Sequence, residues 1–444
     1  MVRASDPPVR PAALHEQLMA AAVALEAVLH GQSLSDALER TPAPWRPAAQ
    51  ALSFHALRHL GLARALRASM VARPPGNVRA DALLLLGLCL LETALQADAG
   101  APLPPGTPRY APHTVVHQVV TAAAHERGTR PAKGLINAVL RRYGREREAL
   151  LAAVASQPEA RWNHPAWWID AVRTAWPHDW QDLLRAANQM PPMTLRANRR
   201  RIHRDALLEQ LQQEGLAARP VLDDGLILAQ PRPIQQIPGH AQGLWSVQDA
   251  SAQRAAALLP LQPGARVLDA CAAPGGKTAH LLEHHDLRLT ALDQDARRLE
   301  KVAHNLQRLG LLTADVHLVR GDAREPAQWW DGLPYEAILA DVPCTASGIV
   351  RRHPDIRWLR RATDLTRTAR LQAAILQALW PLLAPGGHLL YVTCSIFPQE
   401  GEAQILDFLR RCPQAQRLAA PGHILPGGPE DGDGFFYALL RKPS

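Results

Sequence analysis

The sequence predicts a multidomain protein: an all-α bundle over 1–155, a small α+β connector over 156–240 and a doubly wound α/β sheet over 241–444. Three observations carry this. The first third places apolar residues at three- and four-residue steps, with no strand-like alternation between them. Short strand-like runs begin in the middle stretch. From about residue 262, apolar strands alternate with amphipathic helices, the pattern of a largely parallel sheet.

Taken in order, Leu14–Leu29 is rich in Ala and Leu and free of Gly and Pro. Trp45–Leu60, Arg79–Leu95, Val115–Glu126 and Ala132–Tyr143 repeat its spacing, so a helical bundle is expected. Five prolines within 102–112 place a loop between two of these helices. In the connector, Met193–Asn198 and Gly225–Leu228 read as strands and Ala206–Glu214 as a helix. In the last segment Arg266–Cys271, Leu287–Asp293, Val316–Asp322, Ala337–Asp341 and His388–Thr393 read as strands. Gly276–Glu283, Ala369–Leu383 and Glu402–Arg411 read as helices. Asp295 is placed to N-cap another, with Leu299, Val302, Leu306 and Leu309 on its apolar face and Gly310 at its end.

The 444 residues are 47% hydrophobic and 20% charged, which excludes disorder as the dominant state. No run of 18 apolar residues exists, so no membrane span is expected. Met1–Pro8 has no apolar core after its charge, so a secretory leader is not expected and a cytoplasmic protein is. The five cysteines are odd in number, widely spaced and never in a CxxC pair, which argues against a disulfide framework or a metal site. The net charge of +8 leans mildly toward a polyanionic partner. Residues 1–150 hold 17 basic and 11 acidic groups, so most of the excess lies in the first third. Nothing signals an oligomer, and a monomer is expected.

The chemistry concentrates at strand ends. Asp269–Thr278 (DACAAPGGKT) joins a strand to a helix. Gly276-Lys277-Thr278 mimics the end of a phosphate-binding P-loop, but that motif needs Gly where Cys271 stands, and the adjacent glycines do not make GxGxxG. The remaining reading is an S-adenosylmethionine loop, with Gly275 and Gly276 admitting the amino-acid end of the cofactor and Asp269 or loop amides holding its charges. Asp293 at the end of the second strand would grip the ribose, and Asp322 at the end of the third would face the adenine. Three acids at successive strand ends are harder to obtain by chance than one.

Cys344 and Cys394 also lie at strand ends on this side, whereas Cys89, Cys271 and Cys412 read as packing residues. Two thiols beside a methyl donor suit methylation at C5 of a pyrimidine. A thiolate adds to C6, C5 becomes enamine-like and takes the methyl, and a base then removes the C5 proton for elimination. Asp341 is placed to stabilise the adduct near N3. The residues alone do not say which cysteine attacks.

Asp269–Thr278, Asp341–Gly348 (DVPCTASG), Arg351–Arg361 (RRHPDIRWLRR) and Thr393–Ser395 together resemble the Sun (Fmu) group of RNA cytosine-C5 methyltransferases. Trp245–Ser251 and Asp431–Tyr437 look like further hallmarks of that group, and the first third, with Lys133–Arg142, is similar to a NusB-type RNA-binding domain. The resemblance implies a Rossmann-like S-adenosylmethionine-dependent catalytic domain acting on a defined cytosine of 16S ribosomal RNA, free or in a small-subunit assembly intermediate. Transfer RNA or 23S ribosomal RNA, or a non-catalytic RNA scaffold, are the alternatives. It implies cofactor contacts from Cys271, Ala272, Ala273, Pro274, Gly275, Gly276, Lys277, Asp293, Asp322 and Asp341. It makes Cys394 the nucleophile and Cys344 the aid to product release. Arg351, Arg352, His353, Arg357 and Trp358 are expected to hold the RNA, since Arg interleaved with an aromatic suits phosphates and an unstacked base. Arg141, Arg142, Arg145 and Arg147 form a second basic cluster that is either a solvated face or a weak RNA track. His280, His284 and His285 are expected to be surface or packing residues, with no acid beside them.

Overall fold

The structure, a computed structural model, describes residues 13–444, so Met1–Pro8 lies outside the described residues. The chain forms two compact units. One runs to Met190 and takes in Arg352–Arg360; the other comprises Pro191–Arg351 and Arg361–Ser444. Helices Pro158–Trp162, Ala166–Ala175 and Trp180–Asn188 group with the bundle, while the connector's strands group with the larger sheet.

Helices Leu14–Leu29, Arg46–Met70, Val78–Asp98, Pro112–His125 and Lys133–Val154 make the first unit's bundle. Val78–Asp98 is buried at every residue from Ala82 to Ala94, as befits a helix apolar on all faces. Cys89 lies within it, its Sγ 3.7 Å from the Ala56 carbonyl, in a packing role. Gly61 explains why the chain beyond 155 stays with this unit: a Cβ there would sit 2.1 Å from the Glu159 carbonyl oxygen. Asn163, with a left-handed φ of 55°, then accepts the Leu62 amide at 2.9 Å.

The second unit holds two sheets among the described residues. Strands β1 (Thr194–Ala197), β2 (Ala218–Val221), β3 (Gly225–Leu228) and β4 (Trp245–Val247) pair antiparallel in the order β2-β3-β1-β4. The larger sheet contains β5 (Arg266–Ala270), β6 (Arg288–Asp293), β7 (Val316–Arg320), β8 (Tyr335–Asp341), β9 (Leu383–Thr393), β10 (Gln416–Ile424) and β11 (Phe435–Arg441), ordered β10-β11-β9-β8-β5-β6-β7. The run from β9 to β7 is parallel, and β11 pairs antiparallel with both β9 and β10. The helix Ala296–Leu309 begins where expected: Asp295 accepts the Arg297 amide at 2.8 Å, and Gly310 ends it at φ 74°. Sequence reading did not anticipate β2, β4, β10, β11 or the helix Ala250–Leu258. The helix expected at Ala369–Leu383 instead covers Ala362–Leu379, because Pro381 cannot continue it. No helix is long and apolar enough to cross a membrane among the described residues.

Candidate active site

Strand order turns at β5, which has β6 on one side and β8 on the other. Loops leaving the carboxyl ends of the parallel strands therefore open on one crevice. Cys271 follows β5 with φ 64°, a left-handed conformation uncommon for a residue with a Cβ. Burial raises its thiol pKa, which keeps it an inert packing thiol. Gly275 takes φ 93° before the helix Gly276–His284, and a Cβ on it would lie 3.0 Å from Val302 Cγ1. Asp293 is buried and holds the loop: its Oδ2 accepts the Ala273 amide at 3.1 Å and its Oδ1 the Asp295 amide at 3.0 Å. Asp322 is gripped by Arg324 (Nη2–Oδ2 2.5 Å), which holds its carboxyl below the usual range.

Asp269 is wholly buried. Its Oδ2 accepts the Thr278 hydroxyl at 2.5 Å, while Oδ1 has no partner, and burial lifts its pKa to about 7. Near Gly276 only Gln248 Nε2 comes within 3.7 Å of where a Cβ would stand. An orphaned carboxylate oxygen, a Gly-Gly turn with space above it and acids at the ends of neighbouring strands suit a cofactor carrying an amino-acid end and a ribose.

The two strand-end cysteines meet. Cys344 Sγ and Cys394 Sγ are 3.4 Å apart, and the Ala346 amide donates to Cys344 Sγ at 3.4 Å. The contact with Cys394, then burial, then the charges of Cys394 and Glu400 push the Cys344 thiol well above its ordinary value. Lys277 Nζ donates to Asp341 Oδ2 at 2.6 Å and lies 5.2 Å from the Phe435 ring centroid. Burial opposes its charge, but Asp341 and Cys394 outweigh that and hold Lys277 above its ordinary pKa. A persistent ammonium thus sits beside the two residues expected to do chemistry.

The arginines expected to hold RNA divide. Arg351 is buried, with Nε on Asp433, Nη1 on Asp431 Oδ1 at 2.9 Å and Nη2 on the Asp431 carbonyl at 2.6 Å. Arg357 is wholly buried in the helical unit, donating to Asn188, to the Ala187 carbonyl at 2.5 Å and to the Asn163 carbonyl at 3.3 Å. Trp358 Nε1 donates to the Leu57 carbonyl at 2.8 Å, with the Arg64 guanidinium over its ring. Arg351 and Arg357 are corrected from RNA contacts to fold-holding residues because they are buried, and Trp358, partly buried, is corrected because its indole N–H is spent on a backbone carbonyl. Arg352 is partly exposed and His353 exposed. Arg147 likewise turns inward, pairing with Glu92 at 2.7 Å. His284 and His280 are not without an acid: their Nε2 atoms lie 2.7 and 3.4 Å from Asp224 Oδ2, and Arg199 pairs with the other oxygen. Arg199 already balances the single carboxylate there, so this cluster reads as an ion-pair lock on the cofactor helix.

Two further groups escaped sequence reading. Arg196 on β1 makes a buried bidentate pair with Glu283 (2.7 and 2.8 Å) and donates to the Gly276 carbonyl at 2.7 Å, tying the small sheet to the cofactor helix. Glu400 stands six residues after Cys394 and is wholly buried. Only its proximity in sequence to the Thr-Cys-Ser run could have flagged it.

Comparison with known proteins gives a consistent picture. A family model described as 16S rRNA methyltransferase RsmB/F matches residues 256–441, and one described as an RsmF/B-like ferredoxin-like domain matches 164–235. The chain is 42% identical to the ribosomal RNA small subunit methyltransferase B of Vibrio cholerae over 437 residues, covering 95% of this chain and 96% of that protein. It is also 42% identical to the protein of the same name from Pseudomonas syringae pv. tomato, covering 96% of each. The crystal structure of PH0851 superposes with a TM-score of 0.76 at 22% identity, covering 97% of this chain and 99% of that one. A methyltransferase homologue from Pyrococcus horikoshii superposes with a TM-score of 0.56 at 27% identity, covering 64% and 97%.

Proposed function

Since the chain belongs to the 16S rRNA methyltransferase RsmB/F family, we propose that it methylates C5 of a cytosine in 16S ribosomal RNA through a covalent thiol adduct. The observation that carries the cytosine-C5 reading is the Cys344–Cys394 contact at 3.4 Å beside the Lys277–Asp341 pair. Methylation of an exocyclic nitrogen or a ribose hydroxyl has no use for two facing thiols.

S-adenosylmethionine, held by the Cys271–Lys277 loop, Asp269, Asp293 and Asp322, supplies an electrophilic methyl group. The target base leaves its stack to reach the crevice. Cys394 adds to C6 as a thiolate. Asp341 steadies the base near N3. Cys344, its thiol pKa raised by its surroundings, stays out of the attack and aids release: a base takes the C5 proton, the C5–C6 double bond re-forms and the Cys394–C6 bond breaks. Arg352 and His353 remain as RNA contacts. The enzyme works as a monomer in the cytoplasm, on 16S ribosomal RNA or a small-subunit assembly intermediate.

The test is to incubate the protein with labelled methyl donor and total RNA from a strain lacking it, then map 5-methylcytidine. Absence of labelled cytidine sinks the reading, whereas label in transfer RNA or 23S ribosomal RNA changes only the substrate. Cys394→Ala is expected to abolish methylation and adduct formation, and Cys344→Ala to let a covalent RNA adduct accumulate. The reverse pattern would exchange the two roles.

A further inference from the structure

The two thiols sit on different loops, one after β8 and one after β9, and something must hold those loops in register. The residues that follow them converge on one carboxylate. Glu400 Oε1 accepts the Thr345 amide at 2.8 Å, the Thr368 hydroxyl at 2.5 Å and the Gln372 side-chain amide at 3.3 Å. Its Oε2 accepts the hydroxyls of Ser395, at 2.6 Å, and Thr345. Thr345 follows Cys344 directly and Ser395 follows Cys394 directly.

The network has a fixed sense. The Ile396 amide donates to Ser347 Oγ at 2.9 Å, Ser347 and Ser395 hydroxyls are 2.9 Å apart, and the Phe397 amide donates to Ser395 Oγ at 3.1 Å. A carboxylate can only accept, so the hydroxyl protons run from Ser347 to Ser395 to Glu400. The carboxylate is the terminal acceptor for both loops. The Glu400 carbonyl is held in turn by the Tyr391 hydroxyl at 2.9 Å and Thr393 Oγ1 at 3.3 Å. Every one of these partners is neutral, and the group is wholly buried. A buried carboxylate is costly unless its lone pairs are filled, so it fixes the positions of whatever fills them.

We propose that Glu400 is the positioning residue for both reactive thiols, its carboxylate clamping the chain beside Cys344 to the chain beside Cys394. The proposal rests on the reading that both cysteines serve methyl transfer. Glutamine at this position would keep one acceptor oxygen and put an NH2 where the other stood, so part of the ring would lose its acceptor and hydroxyls would have to turn. Aspartate would withdraw the acceptor by one methylene. Either change lets the thiols separate without touching the cofactor loop or the RNA contacts.

Kinetics and a chemical ruler test this on the full-length enzyme. The ruler is diamide, which takes up two hydrogens to become the hydrazine while Cys344 and Cys394 are oxidised to one disulfide, scored by non-reducing peptide mass spectrometry. Glu400→Gln is expected to lower kcat by about 100-fold, the usual cost of misplacing reacting groups by an ångström. KM for RNA and for the methyl donor should stay within about threefold. The Cys344–Cys394 crosslink should form about tenfold more slowly, because the thiols no longer face each other. If Glu400→Gln does not fold, Thr368→Val decides: it deletes one donor from a helix that carries neither cysteine, and should lower kcat and crosslinking together by a smaller factor. Wild-type kcat and crosslinking in a folded variant would overturn the clamp, as would a loss of kcat with crosslinking unchanged. A wild-type enzyme that methylates no cytosine would overturn the reading of the reaction, while the crosslinking arm would still judge the clamp.

Discussion

Glu283 and Glu400 are both buried carboxylates in the catalytic unit, and they are compensated in opposite ways. Glu283 faces Arg196 in a bidentate ion pair with both side chains at 0% exposure. Glu400 faces only amides and hydroxyls. The first joins two pieces of scaffold, β1 and the cofactor helix, and needs only to be strong. The second joins two reactive loops and needs to be accurate. Both sets of bonds are directional, but only the five donors on Glu400 set the spacing of the two thiol loops. The difference predicts that damage to the first is read in stability and damage to the second in turnover.

The sharpest way to break this comparison is to remove one partner of the ion pair. Arg196→Ala leaves Glu283 buried and uncompensated and should cost about 3–5 kcal/mol of stability by denaturant unfolding. Arg196→Met with Glu283→Leu removes both charges and should recover most of that loss. If the double variant is as unstable as the single one, the pair is not the scaffold element described here.

Acid sharpens it next. His280, on the same helix as Glu283, and His55, in the helical unit, are held neutral by burial at pKa values of about 3. The unfolded chain takes up their protons near pH 6.5 and the folded chain does not. Their contribution is therefore complete above about pH 6.5 and is lost as pH falls toward 3. Each should remove about 2 kcal/mol between pH 7 and pH 5. His55→Leu should shrink the difference between unfolding free energies at the two pH values by that amount. An unchanged difference would mean that His55 titrates normally in the folded protein.

Much of this was legible in sequence, and the gaps share a cause. Periodicity placed Leu14–Leu29, Gly225–Leu228 and Glu402–Arg411 at their observed limits, because their apolar spacing is local. The Asp295 cap and Gly310 stop were local too. The expected cofactor acids and both cysteines lie at strand ends on one side of the sheet, as parallel strands with alternating helices require. Glu400, Arg196 and Asp224 stayed hidden because their partners lie far along the chain: Arg196 and Glu283 are 87 residues apart. Strand β11 is not legible locally, because its ladder to β9 is non-local and its apolar run begins within the Asp431–Tyr437 motif. The Arg351–Arg361 stretch misled for the converse reason. Basic and aromatic residues close in sequence suggested one surface, but the chain leaves the catalytic unit after Arg351 and rejoins it at Arg361.

That stretch yields the smallest expected effects, and they separate a structural arginine from a binding one within six residues. Arg357 resembles Arg196 in being wholly buried, yet its partners are carbonyls and an amide oxygen, and burial lowers its pKa to about 9. Arg357→Ala should lower the melting temperature, with the salt dependence of RNA binding intact. Arg352→Ala should weaken RNA binding a few-fold and reduce the slope of log affinity against log salt by about 0.7–0.9, the share of one phosphate contact. Measuring both variants by filter binding at several salt concentrations, with melting curves alongside, decides between the two kinds of arginine. If Arg357→Ala lost salt dependence at unchanged melting temperature, its burial would have to open when RNA binds, and the segment would act as a moving contact. The unchanged slope expected for Arg357→Ala instead makes it a scaffold residue like Arg196, leaving RNA capture to side chains that reach solvent.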